Sequence, residues 1–584
     1  MKLQKRMLAL LLALALLCTM LGGCQADADA QRAQEPQELV ASAPEGKQPA
    51  QKAQSIAAPA QSDEKTLAGG GYFEAVARKT ISYQDMQAQE RTLDDFAPCA
   101  QALSEAAEAK SREAFHRACD EAKTMLTDMQ TAAILFQLES DRDAADETRA
   151  QRAAAQLQAF YDANDLYEKT LCAIAKGENA AMLRKEYSDW QIELFKAYDE
   201  QSAGELLALG EQELKLERTY TQLCALGDAT ERELAEVYLE LVAVRRELAA
   251  RAGTPSYAEY AYRAYYSRDY TPADAQSIWK TAKEDFAPLL EKYSDGITQK
   301  LLQSGLAGRL DCSEAAVLQA LAYGAAHMSP EIDRAAQYLL QNGLYDLSCS
   351  EEKVEMGYTA YLYSYDVPFI FNSPYGTYVD YSDTFHEFGH FLSAFYHKED
   401  PLYGATDFDL SELQSQGMEV MFLQFYDDLF GQDAALLRAW VLQNLVYGVV
   451  MGAMYDEFQQ RVYAQSELSL EGLLETFCAV YEEYGFPLYE GYEYAWVWVL
   501  HNFQQPFYYI SYAVSAIAAL GLYVRALDAP GEAMDAYLRV ARMSDEEYYL
   551  TDALREAGLA NTMKAPIGDV IAQRLEQSGA FALD

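Results

Sequence analysis

From about residue 72 onward, apolar and charged positions recur at three- and four-residue spacing, the period of an amphipathic helix. Residues 94–140, DDFAPCAQALSEAAEAKSREAFHRACDEAKTMLTDMQTAAILFQLES, hold that period for nearly fifty positions. Residues 209–253 repeat it, with Gly253 as a stop signal and Pro255 just beyond. Strand-like alternation is rare. Its best instance is AYLYSYDVPFIFNSPYGTYVDY, residues 360–381, rich in Tyr, Phe, Ile and Val and interrupted by Pro374 and Gly376. No fixed-period repeat is present. The pattern predicts a mostly α-helical protein with a small sheet, and the sheet runs directly into the segment that carries the chemistry.

The first 71 residues break the pattern twice. Lys2, Lys5 and Arg6 precede an apolar run from Met7 to Met20, which closes on Leu21-Gly22-Gly23-Cys24. A short apolar stretch ending in small residues is a secretory signal rather than a spanning helix. Its ending resembles the bacterial lipobox, which assigns residues 1–23 to a lipoprotein signal and Cys24 to lipidation. Two or more acyl chains there would anchor the chain stably at a membrane surface. Residues 24–71 are rich in Ala, Gln, Glu, Pro and Ser, and they read as a disordered tether. The expected location is extracytoplasmic, lipid-anchored to the bacterial cell membrane.

Composition narrows the classes of function. Acidic residues number 90 against 46 basic ones, for a formal net charge of −44. Nucleic acid is excluded as a partner, because neutralising phosphates requires Lys and Arg. Seven cysteines follow Cys24, scattered and without CxxC spacing, so neither a disulfide framework nor a cysteine-built metal site is expected.

The chain holds only six histidines, and two of them sit four apart in VDYSDTFHEFGHFLSAFY, residues 379–396. On a helix His386 and His390 project from one face and can grip one tetrahedral cation. Glu387 is rotated about 100° from His386, toward a metal-bound water rather than the metal. Catalytic zinc needs a third protein ligand. His397 shares the helical face but lies about 10 Å further along the axis, too far to join the same ion. The next acidic helix-like segment, residues 407–430, offers Glu412 and Glu419, seven apart on one face. One can bind the metal while the other orients a histidine. Gly389 between the two histidines would let another backbone or a substrate come close.

PFIFNSPYGTYVDYSDTFHEFGHF followed by DFDLSELQSQGMEVMF resembles the M3 family of zinc metallopeptidases, which includes oligoendopeptidase F and thimet oligopeptidase. The family's metal glutamate opens an E-x-x-S-Q-x-x-E pattern, matched here from Glu412 to Glu419. The resemblance implies that Glu412 is the third ligand and Glu419 a supporting residue. It extends over roughly residues 200–560, through RRELAARAGTPSYAEYAYRAYYSRDYTPAD and SDEEYYLTDALREAGL. It divides the chain into an N-terminal helical domain, 72–205, and a catalytic domain, 206–584. Gln414 departs from the pattern, standing where many members have Pro. LHNFQQPFYYISYAVSA, residues 500–516, resembles the family's second half-site. By that match His501 and Tyr508 donate to the tetrahedral intermediate and Tyr512 binds substrate or supports it, on a helix that Pro506 would begin. Residues 367–380 are expected to form an exposed strand that pairs with an extended peptide, with Gly376 and Tyr378 in a mobile substrate-binding turn at its end.

The expected function is therefore zinc-dependent hydrolysis of short peptides by a monomer with one Zn²⁺ and a deep channel that excludes folded proteins. Two alternatives stand beside it. One is a lipid-anchored protein that captures peptides without cutting them, against which the intact Glu387 argues. The other is a different HExxH-type zinc hydrolase, against which the SQxxE segment argues.

Overall fold

A computed structural model describes residues 80–197, 200–226, 230–397, 402, 406–563 and 567–583. Cys24, the signal segment and the tether lie outside the described residues. Helices dominate. The long N-terminal run forms α1 (Leu93–Glu108) and α2 (Arg112–Asp141), followed by α3 (Glu147–Lys176). Thr92 and Asp95 close a reciprocal cap on α1, which satisfies amide groups that a helix start leaves without partners. Lys110 at φ 52° breaks α1 from α2. Residues 209–253 fall into α4 (Glu200–Leu226) and α5 (Glu231–Arg251), and Gly253 adopts φ +70° directly after α5, as its sequence position predicts.

Two large hydrophobic cores organise the described helices, with a small cluster of Ala132, Phe136 and Ala153 between α2 and α3. The smaller core joins Phe96, Phe115, Leu126, Phe160 and Tyr167 from α1, the first half of α2, and α3. The larger core takes in buried side chains from Tyr220 to Phe581 and draws Ile134, Leu135 and Leu138 from the second half of α2. The position 205/206, where the resemblance places a boundary, lies inside α4.

The sheet has three strands, β1 (Tyr345–Asp346), β2 (Gly357–Leu362) and β3 (Val367–Asn372), in the order β1-β3-β2. The expectation of an exposed strand at 367–372 is corrected here. β3 is the central strand, paired parallel with β1 and antiparallel with β2, and every one of its residues is buried. Its two sides are taken by its neighbours, so the edges of the sheet belong to β1 and β2.

The sheet packs on α6 (Val379–Tyr396), which packs in turn on α7 (Phe408–Phe422). Behind them stand α8 (Ala434–Ala464), α9 (Ile510–Asp528) and α10 (Pro530–Ala541). Phe385 of α6 and Phe422 of α7 stack face to face with centroids 3.7 Å apart. A Cβ on Gly389 would stand 2.5 Å from Ser415 Cα and 2.6 Å from the Gln414 carbonyl oxygen. The glycine between the two histidines therefore admits the backbone of α7 itself. Gln414 fixes the other side of α7, donating to the carbonyls of Val540 and Met543 at 3.3 and 2.8 Å. α9 is long and apolar enough to cross a membrane, yet 78% of its apolar window is buried inside the protein, where it supports α7 and α8.

Candidate active site and metal centre

The close approach of α6 and α7 brings three donors together. His386, His390 and Glu412 each offer one ligand atom, all within 4.8 Å of one another. Glu412 Oε2 lies 3.4 Å from His386 Nε2 and 4.0 Å from His390 Nε2. Ligands bound at about 2.0–2.2 Å to a tetrahedral ion stand roughly 3.3–3.6 Å apart, so one Zn²⁺ suits this set. Two imidazoles and a carboxylate are a donor set that can hold one metal ion.

The surroundings prepare these atoms. His386 Nδ1 lies 2.7 Å from Glu419 Oε1, and Ser382 donates to Glu419 Oε2 at 2.9 Å. With Nδ1 engaged by Glu419, His386 presents Nε2 toward Glu412. His390 Nδ1 meets Ser411 Oγ at 3.2 Å. Burial holds the His390 imidazole below its ordinary pKa, with Glu412 and Glu387 opposing in part, so it stays neutral and able to ligate. Glu412 is 1% exposed, and burial alone would raise its pKa. His386, His390 and Tyr508 outweigh that burial and hold the carboxyl below its usual range. Tyr508 donates to Glu412 Oε1 at 2.7 Å, and the Ser415 hydroxyl lies 3.1 Å from Oε2.

Glu387 is buried beside the ligands. Thr359 of β2 donates to its Oε2 at 2.8 Å, so the strand beside α6 aims this carboxylate. His501 is 3% exposed, and its Nε2 meets no protein partner among the described residues. Its ring stands 5.3 Å from Tyr508, 5.1 Å from Tyr509 and 6.1 Å from Tyr512. Pro506 does not begin the helix that follows. α9 starts at Ile510, and the backbone turns through Phe507 at φ +68°. Tyr508 is set by that turn, and its ring still packs on Tyr512 at 5.2 Å.

A cavity of about 170 Å³ opens from His390, Glu412 and Tyr508. β2 forms one wall through Tyr358–Tyr361, and α2 forms another through Gln130, Ala133, Ile134 and Gln137. Gly376 and Tyr378 do not line it. The Tyr378 ring packs edge-on against Trp440 at 4.9 Å. In the turn they occupy, Asp380 accepts from the amides of Tyr375 and Thr377 at 2.8 and 3.1 Å. Sequence reasoning missed Thr359, Ser411, Ser415 and Asp545. Ser415 sits inside the ExxSQxxE pattern, and Ser411 adjoins Glu412, so sequence proximity offers a signal for these two. Thr359 and Asp545 reach the centre only through the tertiary fold.

No protein-family model matches the sequence, and no curated protein sequence does. Solved structures do match in three dimensions. A structure assigned as an oligoendopeptidase F superposes with a TM-score of 0.69 at 20% identity, covering 86% of this chain and 99% of that one. Inhibitor-bound PZ peptidase A gives 0.69 at 20% identity, covering 86% and 100%. A structure assigned as an oligoendopeptidase F from Bacillus anthracis str. Ames gives 0.66 at 20% identity, covering 87% and 99%. At a sequence distance that leaves few side chains in common, the chain has the fold of the oligoendopeptidase F and PZ peptidase A structures, the large helical fold that its HExxH and ExxSQxxE segments imply.

Proposed function

We propose that this chain is a zinc-dependent endopeptidase acting on short peptides. The observation that carries the reading is the convergence of His386, His390 and Glu412 on one point with the buried carboxylate of Glu387 alongside. The names of the structural neighbours, oligoendopeptidase and PZ peptidase, support peptides as the substrate class.

His386, His390 and Glu412 would hold the ion. One Zn²⁺ bound there supplies a Lewis acid that lowers the pKa of the attacking water toward 7. Glu387 is the general base. Thr359 fixes its Oε2, and Oε1 takes the proton of the water as the peptide carbonyl is attacked. Glu387 then returns that proton to the leaving amine. His501, neutral because burial holds its pKa at about 4, keeps an N–H to give to the oxygen on which negative charge develops. Tyr508 spends its hydroxyl hydrogen on Glu412 in this structure, so it orients the carboxylate ligand until a substrate draws the hydroxyl away. Tyr512 supports both aromatic neighbours by packing. The free edge of β2 offers backbone pairing to an extended peptide in the cavity. The enzyme would act as a monomer, outside the cytoplasm and tethered through a lipid on Cys24. A Cys24→Ser variant would then leave the membrane fraction, and its retention there would remove the anchor.

The deciding experiment assays a quenched ten-residue peptide with and without chelator, in wild type and Glu387→Gln. Chelation should abolish cleavage, and added zinc should restore it. Glu387→Gln should keep its zinc and lose cleavage by about 10²–10⁴-fold, the contribution typical of a general base. Full activity in that variant removes Glu387 as the base. Efficient digestion of folded domains contradicts the narrow-channel reading.

A further inference from the structure

One side chain on the α2 wall of the cavity takes no part in the metal centre. Gln130, Ala133, Ile134 and Gln137 follow one another at three- and four-residue spacing, so a single stripe of α2 lines the cavity. The helix is fastened to the sheet at both ends of that stripe. Ser364, in the turn between β2 and β3, donates its amide to Thr131 Oγ1 at 2.9 Å and its hydroxyl to Asp128 at 2.6 Å. At the other end Tyr358 of β2 donates to Asp141 at 2.6 Å. Stripe and strand are thereby held in a fixed relation.

Three glutamines line the cavity, and they differ in what they have left to offer. Gln137 donates to Asp141 at 2.7 Å. Gln414 donates to the carbonyls of Val540 and Met543. Gln130 is 1% exposed, and neither its Nε2 nor its Oε1 meets a partner among the described residues. A buried carboxamide without hydrogen bonds is costly, and an apolar side chain would fill the same space beside Ala133 and Ile134 without that cost.

A carboxamide carries the same groups as a peptide bond, N–H to give and C=O to receive. An extended peptide paired along the edge of β2 spends only alternate backbone groups on that strand. The rest need partners elsewhere in the cavity. We propose that Gln130 is a substrate-binding residue whose carboxamide pairs with the backbone of an extended peptide held between α2 and β2. It reads the main chain rather than the side chains, so it adds affinity without sequence preference. The inference rests on the peptide reading of the cavity.

The test combines one substitution with a backbone scan of the substrate. The quenched ten-residue peptide is prepared with each backbone amide N-methylated in turn, which removes one donor at a time. With the parent peptide, Gln130→Leu should raise KM about 3–10-fold and leave kcat within two-fold, the loss of a hydrogen bond made equally in ground and transition states. One methylated peptide should cost the wild type a similar factor and cost Gln130→Leu little further, because the partner is already gone. Methylation at amides that pair with β2 should cost both proteins alike. Gln130→Leu should melt no lower than wild type, since an apolar group replaces an unpaired buried amide. Gln130→Met, which keeps the unbranched shape, repeats the scan should the leucine variant not fold. A melting temperature lowered by both substitutions marks the amide as structural and overturns the proposal. So does a KM within two-fold of wild type, or a scan in which no position distinguishes the two proteins. Failure of wild type to cleave the parent peptide overturns the peptidase reading instead, a different outcome visible in the same experiment.

Discussion

At the scale of single residues, His501 has an environment that sets two measurable consequences. It is buried, and burial holds its pKa at about 4, against 6.5 for an ordinary imidazole. The folded chain therefore binds fewer protons at this site than the unfolded chain between pH 6.5 and 4. His501 contributes fully to stability above pH 6.5, and that contribution is lost as the pH falls toward 4, by about 3 kcal/mol at the lower limit. Denaturant unfolding of wild type and His501→Gln across this range should show the wild type losing stability more steeply. Parallel pH dependences would mean that His501 is not held neutral by its surroundings. The second consequence belongs to the proposed function. Removing one preorganised donor from a developing oxyanion commonly costs 10²–10³-fold in kcat, so His501→Ala should lose that much with its zinc content intact. The sequence pointed to this histidine through its resemblance, while its unpartnered Nε2 and the aromatic rings around it appear only in three dimensions.

At the scale of elements, the centre is a matter of how closely two helices approach. α6 carries two ligands and α7 the third, so their separation sets whether one ion can be shared. Gly389 is a point of close approach, and the atoms a Cβ would meet there are backbone, which cannot rotate aside. Gly389→Ala should force the helices apart, destabilising the protein by about 1–3 kcal/mol and weakening zinc binding, both read from one preparation by melting and chelator competition. Gly448→Ala is the control. It lies within α8 with nothing inside 4 Å of an added Cβ, so it should be neutral or stabilising by up to about 1 kcal/mol. A Gly389→Ala protein with wild-type zinc affinity would show that α7 moves as a unit without disturbing Glu412. The helices themselves were legible from the sequence, since the 3.6-residue period runs through α1 to α5 and the HExxH spacing requires a helix at 386–390. The sheet order was not. VPFIFN is apolar and β-branched enough for a strand, but a short run of apolar residues does not distinguish an edge from a centre, and only pairing with β1 and β2 does. Pro506 misled for a related reason: a proline that can start a helix can equally occupy the turn before one, and the tertiary fold chose the turn.

At the scale of the whole molecule, charge and cavity act together. The chain carries a net −44, and the cavity that opens from His390 and Glu412 has Asp545 on its wall and no Lys or Arg among its lining residues. The fold explains how an acid from near the C-terminus and amides from α2 come to share one cavity. The second half of α2 leaves the N-terminal core and enters the larger one, carrying Gln130 and Gln137 to the cavity wall. None of that is readable from local pattern, because the residues concerned are separated by hundreds of positions and each is ordinary in its own segment. An acidic molecule around an acidic cavity raises the local concentration of cationic peptides and repels anionic ones, and salt screens both effects. Ten-residue peptides of one framework, with Lys or Glu at the flanking positions, should therefore differ in kcat/KM by about ten-fold or more at low ionic strength, with Lys preferred. The gap should narrow as salt is raised to about 0.5 M, where the screening length falls to a few Å. What persists at high salt measures close contact inside the cavity, and Asp545→Asn should reduce that residue of preference because it removes the one wall charge outside the ligand set. Equal rates for the two peptides at low salt would mean that the acidic surface lies away from the entrance, and that any selection among peptides is made by shape along β2 and α2 alone.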